Sequence, residues 1–514
     1  MDSYIREGQE SARIQAMLCD RTVVNELGGE LSLPDYQPEI KRLLRVCATV
    51  SPPDKYIGMG SAELSGMLHY SILYAGNDGG LYCTNQASEY QFSIPVEMNG
   101  DFEMGDGLIC DVDIVPDMTV GRVAAPRRLS LKCRLRARVR LYGTRVLDEK
   151  LIGGDEGTVE RLMGQAECAR TFVGTGEALR LGDEIVCDGQ AENLRVICAE
   201  GQVLVMEASA GSGCVNCRGE VALKLLCCRD ESEEPPFVQN RRIPFSSSVP
   251  VDGAEVNCDC SAEGVCTDVG VTIEEGRILC EVSIRLSARA RRNESVSYTR
   301  DLYSTTAGCE NKYETLQLPY ACRCVGGNFS LNTTLSLEEV GIRPDQSLID
   351  VSLVPAVTGL EAEHGKYVLT GRCRALAILR SDKDMGVQEF ELPFRYETDG
   401  ACVEMTDYDA VVTPITCRAR ADGERIGIDA ELGVLIAAQG KNEIRLLREA
   451  TFGERVEHRG ASYTVCYPSH KDTLWSVAKR YHRSVADVAR MNPLSGSPSA
   501  DAADSLEGIS YLLV

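Results

Sequence analysis

Aromatic residues are scarce in this sequence, at 6% of 514 residues, with a single tryptophan and only five histidines. Those histidines, at 69, 364, 458, 470 and 482, are scattered and build no obvious metal-ligand set. Positive charge is also in deficit: 54 Lys and Arg stand against 77 Asp and Glu, a formal net charge of −23. A chain this acidic repels phosphate backbones and anionic bilayers, which excludes nucleic acid as a partner and bulk binding to a membrane surface. No apolar run reaches the roughly 18 residues that a spanning helix requires, so no transmembrane segment is predicted. The N-terminal MDSYIREGQESARIQ has neither a basic n-region nor an apolar h-region, so no signal peptide and a cytoplasmic location are predicted. Catalytic signatures are missing too: there is no Walker loop, no HExxH and no GxSxG. The sequence therefore predicts a binding and assembly protein, not an enzyme, with no catalytic residue and no cofactor. Asp35 in PDYQPEI and Asp188 in CDGQAEN lie in different repeats and read as turn residues rather than an acid–base pair.

What the chain does have in number is cysteine, 23 in all. A secreted disulfide framework requires an export signal. Many of the thiols (Cys133, Cys280, Cys373, Cys417) fall in alternating apolar stretches and read as small buried hydrophobes. The closest clusters are Cys214–Cys217, Cys258–Cys260 and Cys322–Cys324. A zinc site would want a second pair at matching spacing or histidines nearby, and with the histidines scattered these clusters read as reduced structural thiols and no metal site is predicted.

Three landmarks recur in the same order. A glycine opens an apolar strand at Gly66, Gly219 and Gly371. A proline interrupts a strand-like stretch at Pro95, Pro244 and Pro393, which predicts edge strands or bulges. A long alternating strand follows, with Leu129, Leu131, Cys133, Leu135, Ala137, Val139 and Leu141 on one face in copy one. Its counterparts run from Ile278 to Ala290 and from Ile426 to Ile436. Period-two alternation marks a strand with one buried face. A repeat of about 150 residues is a domain rather than a solenoid unit. The fold class predicted is mainly β: three tandem β-sandwich-like domains at 1–152, 153–306 and 307–455, then a small module at 463–514. On the other face of the copy-one strand, Arg134, Arg136, Arg138 and Arg140 form a basic stripe. Two readings stay open for it, a solvated face or a docking edge for an acidic partner or for the next copy. Copy two keeps the sign at Arg285, Arg289 and Arg291, and copy three reverses it at Asp429 and Glu431.

The last fifty residues have a β-α-α-β pattern. Tyr463–Tyr467 is strand-like, and Asp472 or Thr473 caps a first helix in DTLWSVAKRY. Ser484 caps a second short helix, which Asn492-Pro493 ends, and Ile509–Val514 closes as a strand. Trp475 reads as core or as a sugar platform. These pieces closely resemble the LysM family. That resemblance implies two helices on a two-stranded sheet, and a groove for N-acetylglucosamine-containing glycan at Asp472, Thr473, Leu474, Asn492 and Pro493. Lys471 stands where the family usually has glycine, and the family's Pro-Gly-Gln turn before the last strand is absent. The repeats followed by this module, together with the opening Gly28–Val46, resemble SipL-like spore-coat assembly proteins, in which SPOCS domains precede a LysM domain. The resemblance implies a protein of the mother-cell cytoplasm at the forespore surface. It further implies that the protein tethers the coat by binding a stage IV sporulation protein A-like coat ATPase, with the LysM domain contacting protein rather than glycan.

Overall fold

Alternating apolar and polar residues over most of the chain give a mainly β fold. The computed structural model describes residues 12–58, 60–96, 107–153, 158–186, 193–229, 234–274, 277–382, 384–401, 405–456, 464–492, 506 and 509–514. Gly154, Asp188, Tyr463 and Pro493 lie outside the described residues.

The first seven strands are β1 (Arg13–Ser32), β2 (Ile40–Val50), β3 (Asp54–Ile57), β4 (Ser61–Gly76), β5 (Leu81–Pro95), β6 (Ile109–Ala125) and β7 (Arg128–Val146). They form two sheets. One has the order β1-β7-β6, and in the other β2, β3 and β5 all pair with β4. The short β8 (Lys150–Ile152) follows. The next strands are β9 (Val159–Thr175), β10 (Leu179–Val186), β11 (Leu194–Gly211), β12 (Cys214–Arg229), β13 (Phe237–Pro250), β14 (Asp259–Glu274) and β15 (Arg277–Ser304). Here β15 joins β9 and β10 to β14, and β12 lies between β11 and β13. The last set is β16 (Ala307–Ser336), β17 (Ser347–Glu363), β18 (Lys366–Ser381), β19 (Asp384–Asp399), β20 (Met405–Asp422) and β21 (Arg425–Arg455). Its sheets run β16-β21-β20 and β17-β18-β19. Each sheet pair encloses its own apolar core. In the first, the alternating Leu129 to Leu141 set of β7 is buried against Leu64, Leu68, Tyr90 and Phe92 of the facing sheet.

The three glycines have a common role. Gly66, Gly219 and Gly371 sit on the middle strand of the second sheet of each pair, directly opposite Tyr90, Phe245 and Phe394. A Cβ at Gly371 would come within 2.2 Å of the Phe394 ring and 2.4 Å of the Ala356 carbonyl. The aromatic ring fills the place of the missing side chain. The prolines do lie on edge strands, β5, β13 and β19, as their lost donor requires. They are not all equivalent, however. Pro244 and Pro393 each precede the aromatic that faces the glycine, whereas Glu89 precedes Tyr90 and Pro95 lies farther along, opposite Ser61.

The three sheet pairs meet in a closed arrangement in which equivalent positions converge. Arg45, Cys198 and Asp350 each face the same place on a middle strand: Leu73, Leu226 and Ile378. Arg45 is buried and hydrogen-bonds to Glu200 and Ser352. Asp350 takes an ion pair from Lys224 at 2.5 Å. Beneath them Leu44, Ile197 and Ile349 join Leu73, Leu226 and Ile378 in one apolar cluster. A second junction uses the basic stripe. Arg138 reaches Asp407 at 2.6 Å and Arg140 reaches Asp409 at 2.7 Å, joining the first pair to the third. Arg289 of the second pair reaches Asp111 of the first at 2.7 Å, and Arg291 bonds Asp409 at 3.4 Å. The stripe is therefore divided. Arg136 is exposed and Arg134 pairs with Asp117 in its own sheet, while Arg138 and Arg140 dock on the third copy rather than the next one. At the edge of this assembly β8 pairs in parallel with β21.

Candidate partner-binding site

The C-terminal segment is built from very short elements: β22 (Val465–Cys466), α1 (Leu474–Arg480), α2 (Val485–Met491) and β23 (Leu512–Leu513). β22 and β23 pair antiparallel. Cys466 and Leu512 point inward and pack with Leu474, Trp475, Val477, Ala478 and Val488.

Of the two residues expected to cap the first helix, Thr473 does so. It accepts the Ser476 N–H at 3.1 Å, and the Ser476 hydroxyl lies 2.9 Å from the Thr473 N–H, a reciprocal capping box. Asp472 instead organises the preceding loop. It accepts the Ser469 N–H at 2.9 Å and pairs with Arg480 at 2.6 Å. Those two interactions hold its carboxyl below the ordinary carboxylate range. Leu474 is buried core. Ser484 occupies the N-cap position of α2 but makes no side-chain cap bond, so that helix starts without the expected hydroxyl cap. Asn492 is buried and bridges the helix end to the closing strand. Its amide donates to the Val488 and Leu513 carbonyls, both at 2.8 Å, and its oxygen accepts the Leu513 N–H at 2.8 Å. The expected groove residues Asp472, Thr473, Leu474 and Asn492 are thus all engaged in holding the segment together, while Pro493 lies outside the described residues.

Trp475 is fixed from outside the segment. Its ring meets Tyr303 of β15 edge-on, with centroids 4.8 Å apart, and its indole N–H donates to Asp301 at 2.8 Å. Asp301 also takes Lys479 at 2.7 Å and the Tyr313 hydroxyl at 2.7 Å. Burial alone would raise the Asp301 pKa. The hydrogen bonds from Lys479, Tyr313 and Trp475 outweigh that and hold it low. The Tyr303 hydroxyl donates to the Arg483 carbonyl at 2.7 Å, and His482 Nδ1 lies 2.9 Å from the Ser304 carbonyl. This seating was not legible in the sequence, because Asp301 and Tyr303 sit at the end of a strand with no motif around them.

Among the described residues, the opposite face of the small sheet is exposed. Val465, Tyr467 and Tyr511 are 49%, 77% and 58% exposed, and the two tyrosines flank the Cys466–Leu512 pair. The alternation that buries Cys466 and Leu512 turns these three outward. Among the described residues the cysteines are free thiols, and no three His, Cys, Asp or Glu side chains are grouped to hold a metal ion. No helix among them is long and apolar enough to cross a membrane. No known protein family, no curated protein and no solved structure matches the chain.

Proposed function

We propose that this chain is a non-enzymatic assembly adaptor: three tandem β-sandwich domains, at 1–152, 153–306 and 307–455, that carry a LysM-like module at 463–514 as the partner-contacting end. The observation that carries this reading is the fixed seating of the C-terminal segment. Trp475 and Lys479 are tied to Asp301, while Val465, Tyr467 and Tyr511 face outward. A module held at one face and open at the other transmits force and position from its partner to the body of the protein. Exposed tyrosines suit a protein contact, since they bury large area at low entropic cost and are enriched at interface hot spots. On the resemblance to SipL-like proteins, the partner is a stage IV sporulation protein A-like coat ATPase and the place is the mother-cell cytoplasm at the forespore surface. The polar side chains of the expected groove are committed to internal bonds, so recognition on this reading runs through the loop backbone and the two tyrosines.

A second reading has one specific support. Two exposed tyrosines beside a short sheet also suit stacking on the rings of an N-acetylglucosamine-containing glycan. Binding of the purified full chain to the purified ATPase and to chitin oligomers, measured in parallel, separates the two. On the adaptor reading the ATPase binds, and Tyr467→Ala with Tyr511→Ala weakens it by about tenfold or more, on the order of 1.4 kcal/mol. Chitin binding without ATPase binding would replace the adaptor reading with the glycan reading.

A further inference from the structure

The seam between the first and second sheet pairs brings two thiols into contact. Cys83 lies on the edge strand β5 and Cys198 on β11, and their sulfurs are 3.3 Å apart. The Ser71 hydroxyl is 3.6 Å from one and 3.8 Å from the other. A Glu200 carboxylate oxygen lies 3.7 Å from Cys198 Sγ, and Arg45 Nη2 lies 3.9 Å from it. Cys198 is the residue that shares its place with Arg45 and Asp350 where the three pairs converge.

We propose that Cys83 and Cys198 are a reversible redox modification site, at which a peroxide joins the first sheet pair to the second through a disulfide bond. The two members differ in the way such a reaction needs. Cys83 is partly exposed on an edge strand, and Cys198 is 5% exposed. The two sulfurs share one hydrogen bond, and Ser71 contacts both, so the pair can hold one proton between them. Burial at the seam holds the Cys198 thiol protonated, above the ordinary thiol value. A partly exposed cysteine in direct contact with a second thiol that can resolve its sulfenic acid is the arrangement that oxidises selectively. By contrast, burial pushes the Cys217 and Cys373 thiols up to about 11.

With a peroxide, the Cys83 thiolate attacks one peroxide oxygen. The O–O bond breaks, Cys83 becomes a sulfenic acid, and the departing hydroxide takes a proton to leave as water. The Cys198 sulfur then attacks the sulfenic sulfur, the S–S bond forms, the S–O bond breaks and a second water leaves with the Cys198 proton. Two thiols and one peroxide give one disulfide and two waters. The sulfurs must approach by about 1.3 Å to reach a disulfide length of roughly 2.05 Å. An external dithiol reverses the change by exchange, as suits a reducing compartment where disulfides are transient.

The test uses the reduced full chain, treated with equimolar hydrogen peroxide, alkylated and mapped by peptide mass. The first linkage expected is Cys83–Cys198, with two thiols lost per chain. The band should migrate faster on a non-reducing gel, and dithiothreitol should reverse the change. Cys198→Ser should give no linkage and should leave Cys83 as a sulfenic acid that dimedone traps. A first linkage at another pair, or between chains, would overturn the proposal. So would oxidation that leaves Cys83 and Cys198 fully alkylatable. The mapping of the unsubstituted chain decides this whether or not the variant folds.

Discussion

Asp301 accepts the indole N–H of Trp475 at 2.8 Å, across the junction between the end of β15 and the helix α1. Because Trp475 is the only tryptophan, its fluorescence reports this junction alone. Asp301→Ala leaves the buried indole N–H without its acceptor, a loss of about 1–3 kcal/mol. The expected outcome is a red-shifted, more quenchable Trp475 emission, with the β signal in circular dichroism retained. An unshifted emission would show that the segment is held by other contacts.

The same junction should respond to acid. The Asp301 pKa is depressed in the folded protein, so its contribution is present above the unfolded carboxylate value of about 3.9 and is lost as pH falls through the lower folded value. Trp475 emission should hold steady from neutral pH to about 5 and move red below about 4. In Asp301→Asn that acid step should disappear, because the asparagine does not titrate.

Substitution at the glycines should be graded. A Cβ at Gly219 would come within 2.1 Å of the Leu204 carbonyl, and one at Gly371 within 2.4 Å of the Ala356 carbonyl. Backbone cannot yield cheaply, and Ala at either position should cost about 1–3 kcal/mol in denaturant unfolding. At Gly66 the close atoms all belong to the Tyr90 ring, the nearest at 2.5 Å, so Gly66→Ala should cost less. Gly182 has nothing within 4 Å of its Cβ position, and Gly182→Ala should be neutral within about 0.5 kcal/mol.

The basic stripe offers an internal comparison. Arg140 is 1% exposed and pairs with Asp111, Asp113 and Asp409 at 2.7–2.9 Å. Arg140→Ala removes the buried cation that the three carboxylates share, leaving Arg289 and Arg291 to neutralise them, and should cost about 3–5 kcal/mol. Arg136→Ala, on the same strand but exposed, should change the unfolding midpoint little. Equal effects at the two positions would rule out the buried junction.

The β content and the long strands were legible because period-two alternation is written directly into Leu129–Leu141 and its counterparts. The glycine landmarks were legible as positions but not as causes, since the partner rings Tyr90, Phe245 and Phe394 lie on other strands. The prolines misled by proximity: Pro95 looked like Pro244 and Pro393, yet it stands elsewhere in the register. Alternation also divides a strand into an apolar and a polar face without saying whether the polar face is wet. Arg138 and Arg140 read the same as Arg136, and only the position of Asp407 and Asp409 separates them. In the C-terminal segment the short helices and the Thr473 cap were legible. The internal roles of Asp472 and Asn492, and the outward pair Tyr467 and Tyr511, required the sheet to be in place.

The parallel pairing of β8 with β21 has a consequence for how the protein is made. Lys150–Ile152 leave the ribosome long before Glu449–Thr451, their ladder partners. At roughly 5–20 residues per second the wait is on the order of 15–60 s. During that interval a nascent chain carries Arg138 and Arg140 with no acidic neighbour from the third sheet pair. A product that ends before β20 should therefore stay bound to chaperones or be degraded, and release from the ribosome, rather than folding of the first pair, should set the time at which a finished molecule appears.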